Sequence, residues 1–109
     1  MDKGCGNIML TFERILEVFA DYLAADPDVE VILTRHGYIY LVWDDAHHSW
    51  ENCEACATPE ELLDALTDAV QTFEAMHLLK GRREPTDAET AAFAQTAEAY
   101  RRKCLERQD

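Results

Sequence analysis

The chain has 109 residues, of which 48% are hydrophobic and 29% are charged, and its formal net charge is −12. This length and composition indicate a single globular domain with a modest core, and they exclude a disordered or fibrous chain. No apolar run approaches the ~20 residues that a membrane-spanning helix needs. The acidic excess disfavours direct binding to nucleic acid or to an anionic membrane surface, and a cytoplasmic protein is expected.

The N-terminal third is predicted to hold a short lead and one helix. Residues 1–7 are expected to be a flexible N-terminal lead, followed by one α+β domain at 8–109. Phe12, Leu16, Phe19 and Leu23 recur at three- and four-residue spacing, which predicts a helix over about 11–25 with one buried stripe. The segment Asp26-Pro27-Asp28 ends it, because proline disfavours helix at the preceding residue.

Three strands are predicted next. Residues 29–35 and 38–44 are rich in β-branched and aromatic side chains, which are typical of strands. The two-residue connection His36-Gly37 predicts a hairpin, since glycine supplies a positive φ. A third strand is predicted over about 49–55, after a turn at residues 45–48.

Two helices with capping boxes are predicted to complete the chain. Thr58 and Glu61 predict the start of a helix over about 59–79, and Thr86 and Glu89 predict the start of another over about 87–106. The predicted fold class is therefore α+β, in the order α-β-β-β-α-α, with a three-stranded antiparallel meander packed with helices.

Both faces of the predicted hairpin are largely apolar, whereas a sheet with one wet face alternates apolar and polar residues. The second face therefore needs a cover: the last helix, a second copy of the chain, or a different protein. The stripe of the last helix is mostly alanine and offers little apolar area. We therefore favour a homodimer or a partner-binding sheet face. The alternative is that the first two helices cover one face and the last helix covers the other.

Charge is distributed unevenly along the chain. From Gly37 to Leu79 there is no lysine or arginine, although this segment carries nine acidic residues. A surface of one sign is informative about partners, and it favours a basic protein partner. The predicted protein-binding residues are two aromatics on an exposed sheet face and four acids of the second long helix: Tyr38, Tyr40, Glu60, Glu61, Asp64 and Asp68.

A zinc-binding module is the alternative function, because thiolates and imidazoles are the usual zinc ligands. Its predicted ligands are His47, His48, Cys53 and Cys56. The three-residue offset of the cysteines places them on opposite faces of a strand unless the strand ends between them. No catalytic motif is recognisable, so no enzymatic activity is expected.

The α-β-β-β-α order resembles that of double-stranded RNA-binding domains. The basic residues that those domains place on the RNA backbone are absent, and the corresponding helix begins with Pro59-Glu60-Glu61. In size and charge the chain is similar to small phage or mobile-element inhibitors, including some anti-CRISPR proteins. That similarity implies an acidic mimic that occupies the basic nucleic-acid-binding surface of a partner. We therefore expect a small, non-enzymatic, adapter or inhibitor-like protein.

Overall fold

The computed structural model describes residues 10–106, apart from the side chain of Asn52. The elements are α1 (Phe12–Val18), α2 (Ala20–Ala25), β1 (Val29–Thr34), β2 (Gly37–Asp44), β3 (Ser49–Cys56), α3 (Pro59–Leu79) and α4 (Asp87–Cys104). The strands form one antiparallel sheet in the order β1-β2-β3, which confirms the predicted α+β meander. The predicted lead at residues 1–7 lies outside the described residues. Within residues 10–106, no helix is long and apolar enough to cross a membrane.

The predicted first helix is interrupted at Phe19, whose ψ of 7° separates α1 from α2. Helical hydrogen bonds nevertheless continue across this point, from the Phe19 N–H to the Ile15 carbonyl and from the Leu23 N–H to the Phe19 carbonyl, both at 2.9 Å. The interruption coincides with full burial of the Phe19 ring, which stacks on Tyr100 of α4 at a centroid distance of 4.9 Å. The prediction of one uninterrupted helix is therefore wrong in this detail.

The hairpin is present, but its register differs from the predicted one. Arg35 and His36 form the loop, and Gly37 is already the first residue of β2, paired with Thr34. Gly37 adopts φ +115°, so the residue with positive φ comes directly after the turn and not within it. Other hairpins likewise place a glycine bulge directly after the turn. Every pairing shifts by two residues relative to the prediction. Because side chains alternate with a period of two, each residue keeps its predicted face.

The two long helices begin at the predicted capping boxes. Thr58 accepts a hydrogen bond from the Glu61 N–H, and Thr86 accepts one from the Glu89 N–H. Helix α3 covers the predicted range, whereas α4 ends at Cys104 instead of 106. Such caps satisfy N–H groups that have no partner inside the helix.

The helices cover only one face of the sheet. Helix α3 packs against β2 and β3, and α4 packs mainly against α3 and α1. The covered face contributes Val29, Tyr40 and Cys56 to the core, where they meet buried leucines of α3. Ala97 of α4 is fully buried, because its small side chain lets α4 lie close to the other helices. The alternative in which the last helix covers the second sheet face is therefore wrong.

The second face of the sheet has no helix on it within the described residues. None of its side chains belongs to the core cluster. Ile32 is 44% exposed, and Cys53 and Ala55 are exposed as well, whereas Leu41 on the same face is only 9% exposed. Part of the apolar character predicted for this face is thus present at the surface.

Gly37 provides a test of the hairpin geometry. A Cβ atom at this position would lie 2.8 Å from the Cys56 carbonyl oxygen, and the positive φ is strained for any L-residue. We expect Gly37→Ala to lower the free energy of unfolding by about 2 kcal/mol or more, measured by urea denaturation.

Gly81→Ala is the matched control, because Gly81 also has a positive φ of 73° but a Cβ atom there would meet nothing within 4 Å. It should cost about 1 kcal/mol, for the backbone conformation alone. Equal losses in the two variants would contradict the close approach of β2 to the end of β3.

Candidate functional site

A cleft of about 500 Å³ lies between α3 and the helix-covered face of the sheet. Its walls come from α2 and the loop after it, from β2 and β3, and from α3. We call it the acidic cleft because five carboxylates line it: Asp26, Asp28, Glu51, Glu54 and Asp68. None of the described lining residues is a lysine, an arginine or a histidine. Concave sites of this size with converging polar groups are typical of ligand-binding sites.

The inner part of the acidic cleft is aromatic. Tyr22 and Tyr40 are 3% and 7% exposed, and the ring of Phe73 meets the edge of Tyr22 at a centroid distance of 5.5 Å. The Tyr22 hydroxyl donates a hydrogen bond of 2.6 Å to Oδ2 of Asp26, and the Asp28 N–H donates one of 3.1 Å to Oδ1. Asp26 is itself 91% buried, at 9% exposure. Both of its oxygens thus have partners, which fixes the position of this buried carboxylate.

Tyr40 lies among the carboxylates of the cleft. Burial raises the pKa of Tyr40 to about 12, and the charges of Asp26, Glu54 and Asp68 add to the rise. Tyr40 is 7% exposed and lines the cleft, and none of the hydrogen bonds found within residues 10–106 involves its hydroxyl. A buried polar group normally has a partner. The described residues do not supply one for this hydroxyl.

The remaining carboxylates form the mouth of the cleft. Asp28, Glu51, Glu54 and Asp68 are all exposed. None of them forms an ion pair with any of the described residues. The ion pairs found within residues 10–106 lie outside the cleft, and they join Arg14 to Glu17, His47 to Asp44, Arg83 to Glu89 and Arg101 to Asp64. The negative charge of the cleft is thus left uncompensated by the described part of the chain.

The two predicted binding tyrosines lie on the covered face, not on an exposed one. Tyr38 is half-buried and packs on Phe12 with ring centroids 4.7 Å apart, and Tyr40 is buried in the acidic cleft. Their predicted exposure is wrong, because this is the face against which the helices pack. Tyr40 still reaches a surface feature, since it lines the cleft.

The four predicted binding acids have different surroundings. Glu61 caps α3, and its Oε1 accepts hydrogen bonds from the N–H groups of Ala57 and Thr58. Asp64 pairs with Arg101 of α4 at 2.8 Å. Glu60 is exposed outside the cleft, and Asp68 lines it. The structure therefore brings only Tyr40 and Asp68 together from the predicted set.

The four predicted metal ligands are not brought together. Strand β3 continues to Cys56, so Cys53, opposite Leu41, and Cys56, opposite Tyr38, point to opposite faces of the sheet. The His47 Nδ1 lies 2.7 Å from Oδ2 of Asp44, in the turn after β2. Within residues 10–106 no group of three or more histidine, cysteine or carboxylate side chains is placed to hold a metal ion.

Asp26, Asp28, Glu51, Glu54 and Tyr22 were missed as site residues, because the elements that carry them are far apart in the sequence. The predicted turn at residues 45–48 pairs Asp44 with Ser49, and this register continued without interruption would set Cys53 opposite Tyr40. An irregularity between Val42 and Trp43 shifts the pairing by one residue and sets Glu54 opposite Tyr40 instead. No signal in the sequence predicts this shift.

Comparison with known proteins identifies no relative. No family model matches the sequence, and neither a curated protein nor a solved structure is significantly similar to the chain. The site must therefore be interpreted from its own chemistry.

The raised pKa of Tyr40 predicts a loss of stability in alkali. Because the folded state holds the phenol proton more tightly than the unfolded state, this contribution is complete below pH 10 and is lost as the pH rises toward 12. At pH 11 the lost part is about 1.4 kcal/mol.

We therefore expect the free energy of unfolding to fall less from pH 9 to pH 11 in Tyr40→Phe than in the unmodified chain, by about 1.4 kcal/mol in urea denaturation. Identical pH profiles would contradict a buried Tyr40 surrounded by carboxylates. Tyr100→Phe is a control that removes a less buried tyrosine.

The opposite orientations of Cys53 and Cys56 predict a difference in thiol reactivity. Cys53 is exposed, whereas Cys56 and Cys104 are buried and burial raises the pKa of both thiols. In a Cys5→Ser chain, the Cys53 thiol should react rapidly with a disulfide reagent under native conditions. The Cys56 and Cys104 thiols should react only on unfolding. If a chelator released two thiols together, the chain would instead hold a metal ion between them.

Proposed function

We propose that this chain is a small, non-enzymatic cytoplasmic protein that binds a basic segment of another protein through the acidic cleft. The observation that carries the proposal is that five carboxylates and no basic residue line one concave site, together with the rings of Tyr22, Tyr40 and Phe73. A basic partner would supply the charge that this part of the chain lacks. Complementary charge of this kind favours fast and selective association.

No lysine or arginine of the described chain lines the cleft, which supports a basic partner for it. Arg101 pairs with Asp64, and Arg83 forms two hydrogen bonds of 2.8 Å with Glu89. Arg14 donates to the Lys103 carbonyl and contacts Glu17. These arginines link local elements and leave the cleft negative.

A basic nucleic-acid-binding surface is the partner surface that this site would fit best. Such surfaces present clustered lysine and arginine to phosphates, and the exposed carboxylates at the cleft mouth would offer the same sign of charge. The chain would then act as an adapter or inhibitor that competes with nucleic acid, as the acidic profile of some anti-CRISPR proteins suggests.

A defined basic probe tests the proposal. Binding of a fluorescent 20-residue peptide of mixed lysine and arginine would be followed by anisotropy between 50 and 300 mM salt. We expect affinity to fall with salt, and the double variant Glu54→Lys/Asp68→Lys to bind about tenfold more weakly or worse, with a flatter salt dependence. A DNA duplex of 20 base pairs should not bind the chain itself, and it should compete for the peptide.

Glu84→Lys/Glu98→Lys is the matched control, because it changes the net charge equally at exposed positions outside the cleft. It should retain most of the affinity. Equal losses in the two double variants would show that binding follows net charge alone, which would contradict a role of the cleft. Unchanged binding in both double variants would contradict the proposed function as well.

A further inference from the structure

We propose that the acidic cleft is a receptor for a single arginine side chain of the basic partner. This inference rests on the proposed function and deepens it, because it names the group that is recognised. A general attraction to basic surfaces needs only exposed carboxylates. The cleft adds a buried and aromatic interior, which indicates that a side chain enters it.

The first argument is the buried interior. Tyr40 has a hydroxyl without a hydrogen bond inside the described chain, and Asp26, which also lines the cleft, is 9% exposed. An arginine that entered the cleft would bring donors to this phenol oxygen and to this buried carboxylate. Charge-assisted hydrogen bonds are roughly twice as strong as neutral ones.

The second argument is the combination of rings and charges. Trp43 and Phe73 line the cleft with partly exposed rings, beside the buried rings of Tyr22 and Tyr40. A cation over an aromatic ring gains electrostatic attraction, more so when it is desolvated. Glu54 and Asp68 lie at the mouth on facing walls, one on β3 and the other on α3. An organic cation satisfies rings and carboxylates together, whereas a neutral apolar ligand would leave the carboxylates without partners.

The third argument distinguishes arginine from a metal ion and from lysine. Within residues 10–106 the carboxylates do not converge closely enough to hold a metal ion. They are spread around a volume of about 500 Å³. A guanidinium has five donors in a planar fork and stacks on aromatic rings, whereas an ammonium is a compact, strongly hydrated point charge. The dispersed acceptors therefore suit arginine better.

The experiment uses capped amino acids as probes of the full-length protein. N-acetyl-arginine methylamide, its lysine counterpart and the neutral isostere N-acetyl-citrulline methylamide would each be titrated while backbone amide shifts are recorded by nuclear magnetic resonance. We expect the arginine probe to shift amides around Tyr40, Glu54 and Asp68 in a saturable way. The citrulline probe should bind about tenfold more weakly, since it lacks the charge, and the lysine probe should bind more weakly than arginine.

Variants then locate the site. Glu54→Gln and Asp68→Asn remove one charge each at the mouth, and Glu60→Gln and Glu98→Gln remove the same charge at exposed positions outside the cleft. We expect only the first pair to weaken arginine binding, by about threefold or more each. All four positions are exposed, so the variants should unfold at similar urea concentrations.

Several results would overturn the inference. These are equal binding of arginine and citrulline, lysine binding equal to or tighter than arginine binding, shifts scattered over the whole acidic surface, and equal effects of the cleft and control variants. Tighter binding of spermidine at the same amides would identify a free polyamine as the ligand and would overturn it as well. If the capped arginine fails while the basic peptide still depends on Glu54 and Asp68, the proposed function stands and only the arginine receptor is rejected.

Discussion

The burial of one sheet face against α3 is the constraint on which the rest of the structure depends. Leu62, Leu63, Leu66 and Val70 of α3 are each no more than 2% exposed, and full burial of such a side chain is worth about 1.5–3 kcal/mol. Helix α3 is also the element against which α1 and α4 pack. The position of the helical layer relative to the sheet therefore follows from this single helix.

The same packing explains why the cleft exists. Three short side chains of α3 line the cleft, those of Ala65, Ala69 and Thr72, and Phe73 and Met76 line it farther along the helix. The space beside these short side chains is bordered by Tyr22 and Tyr40, and its carboxylates belong to the end of α2 and the loop after it, to β3 and to α3. Short side chains on α3 thus contribute to a concave site between this helix and the sheet.

Charge gives the acidic cleft its chemical character. Like charges around a partly enclosed space repel one another and work against the compact state, and the described chain places its arginines elsewhere. A cost to stability that no internal contact offsets is typical of functional surfaces. The hydrogen bonds of Asp26 with Tyr22 and Asp28 hold the buried carboxylate in place. The second sheet face differs in kind, because it is largely apolar and lacks the enclosing walls of the cleft.

Local signals in the sequence determined most of the elements. The capping boxes at Thr58 and Thr86 specified where α3 and α4 begin, because a cap depends only on residues within one helical turn. Side-chain alternation assigned the residues of β1 and β2 to their faces, and a register error of two residues could not change that assignment. The offset of Cys53 and Cys56 predicted opposite faces only if one strand holds both, and β3 does extend to Cys56.

Tertiary structure alone decided which face the helices cover and where the acidic residues meet. The sequence shows two apolar sheet faces, and the choice between them depends on how the leucine stripe of α3 docks, which is a non-local contact. For this reason Tyr38 and Tyr40 were expected at the surface and lie on the covered face. The site residues come from α2, its following loop, β2, β3 and α3, and no local pattern reports that these carboxylates share one cleft. Acidic composition was readable from the chain, but its concentration around an aromatic interior is a product of packing.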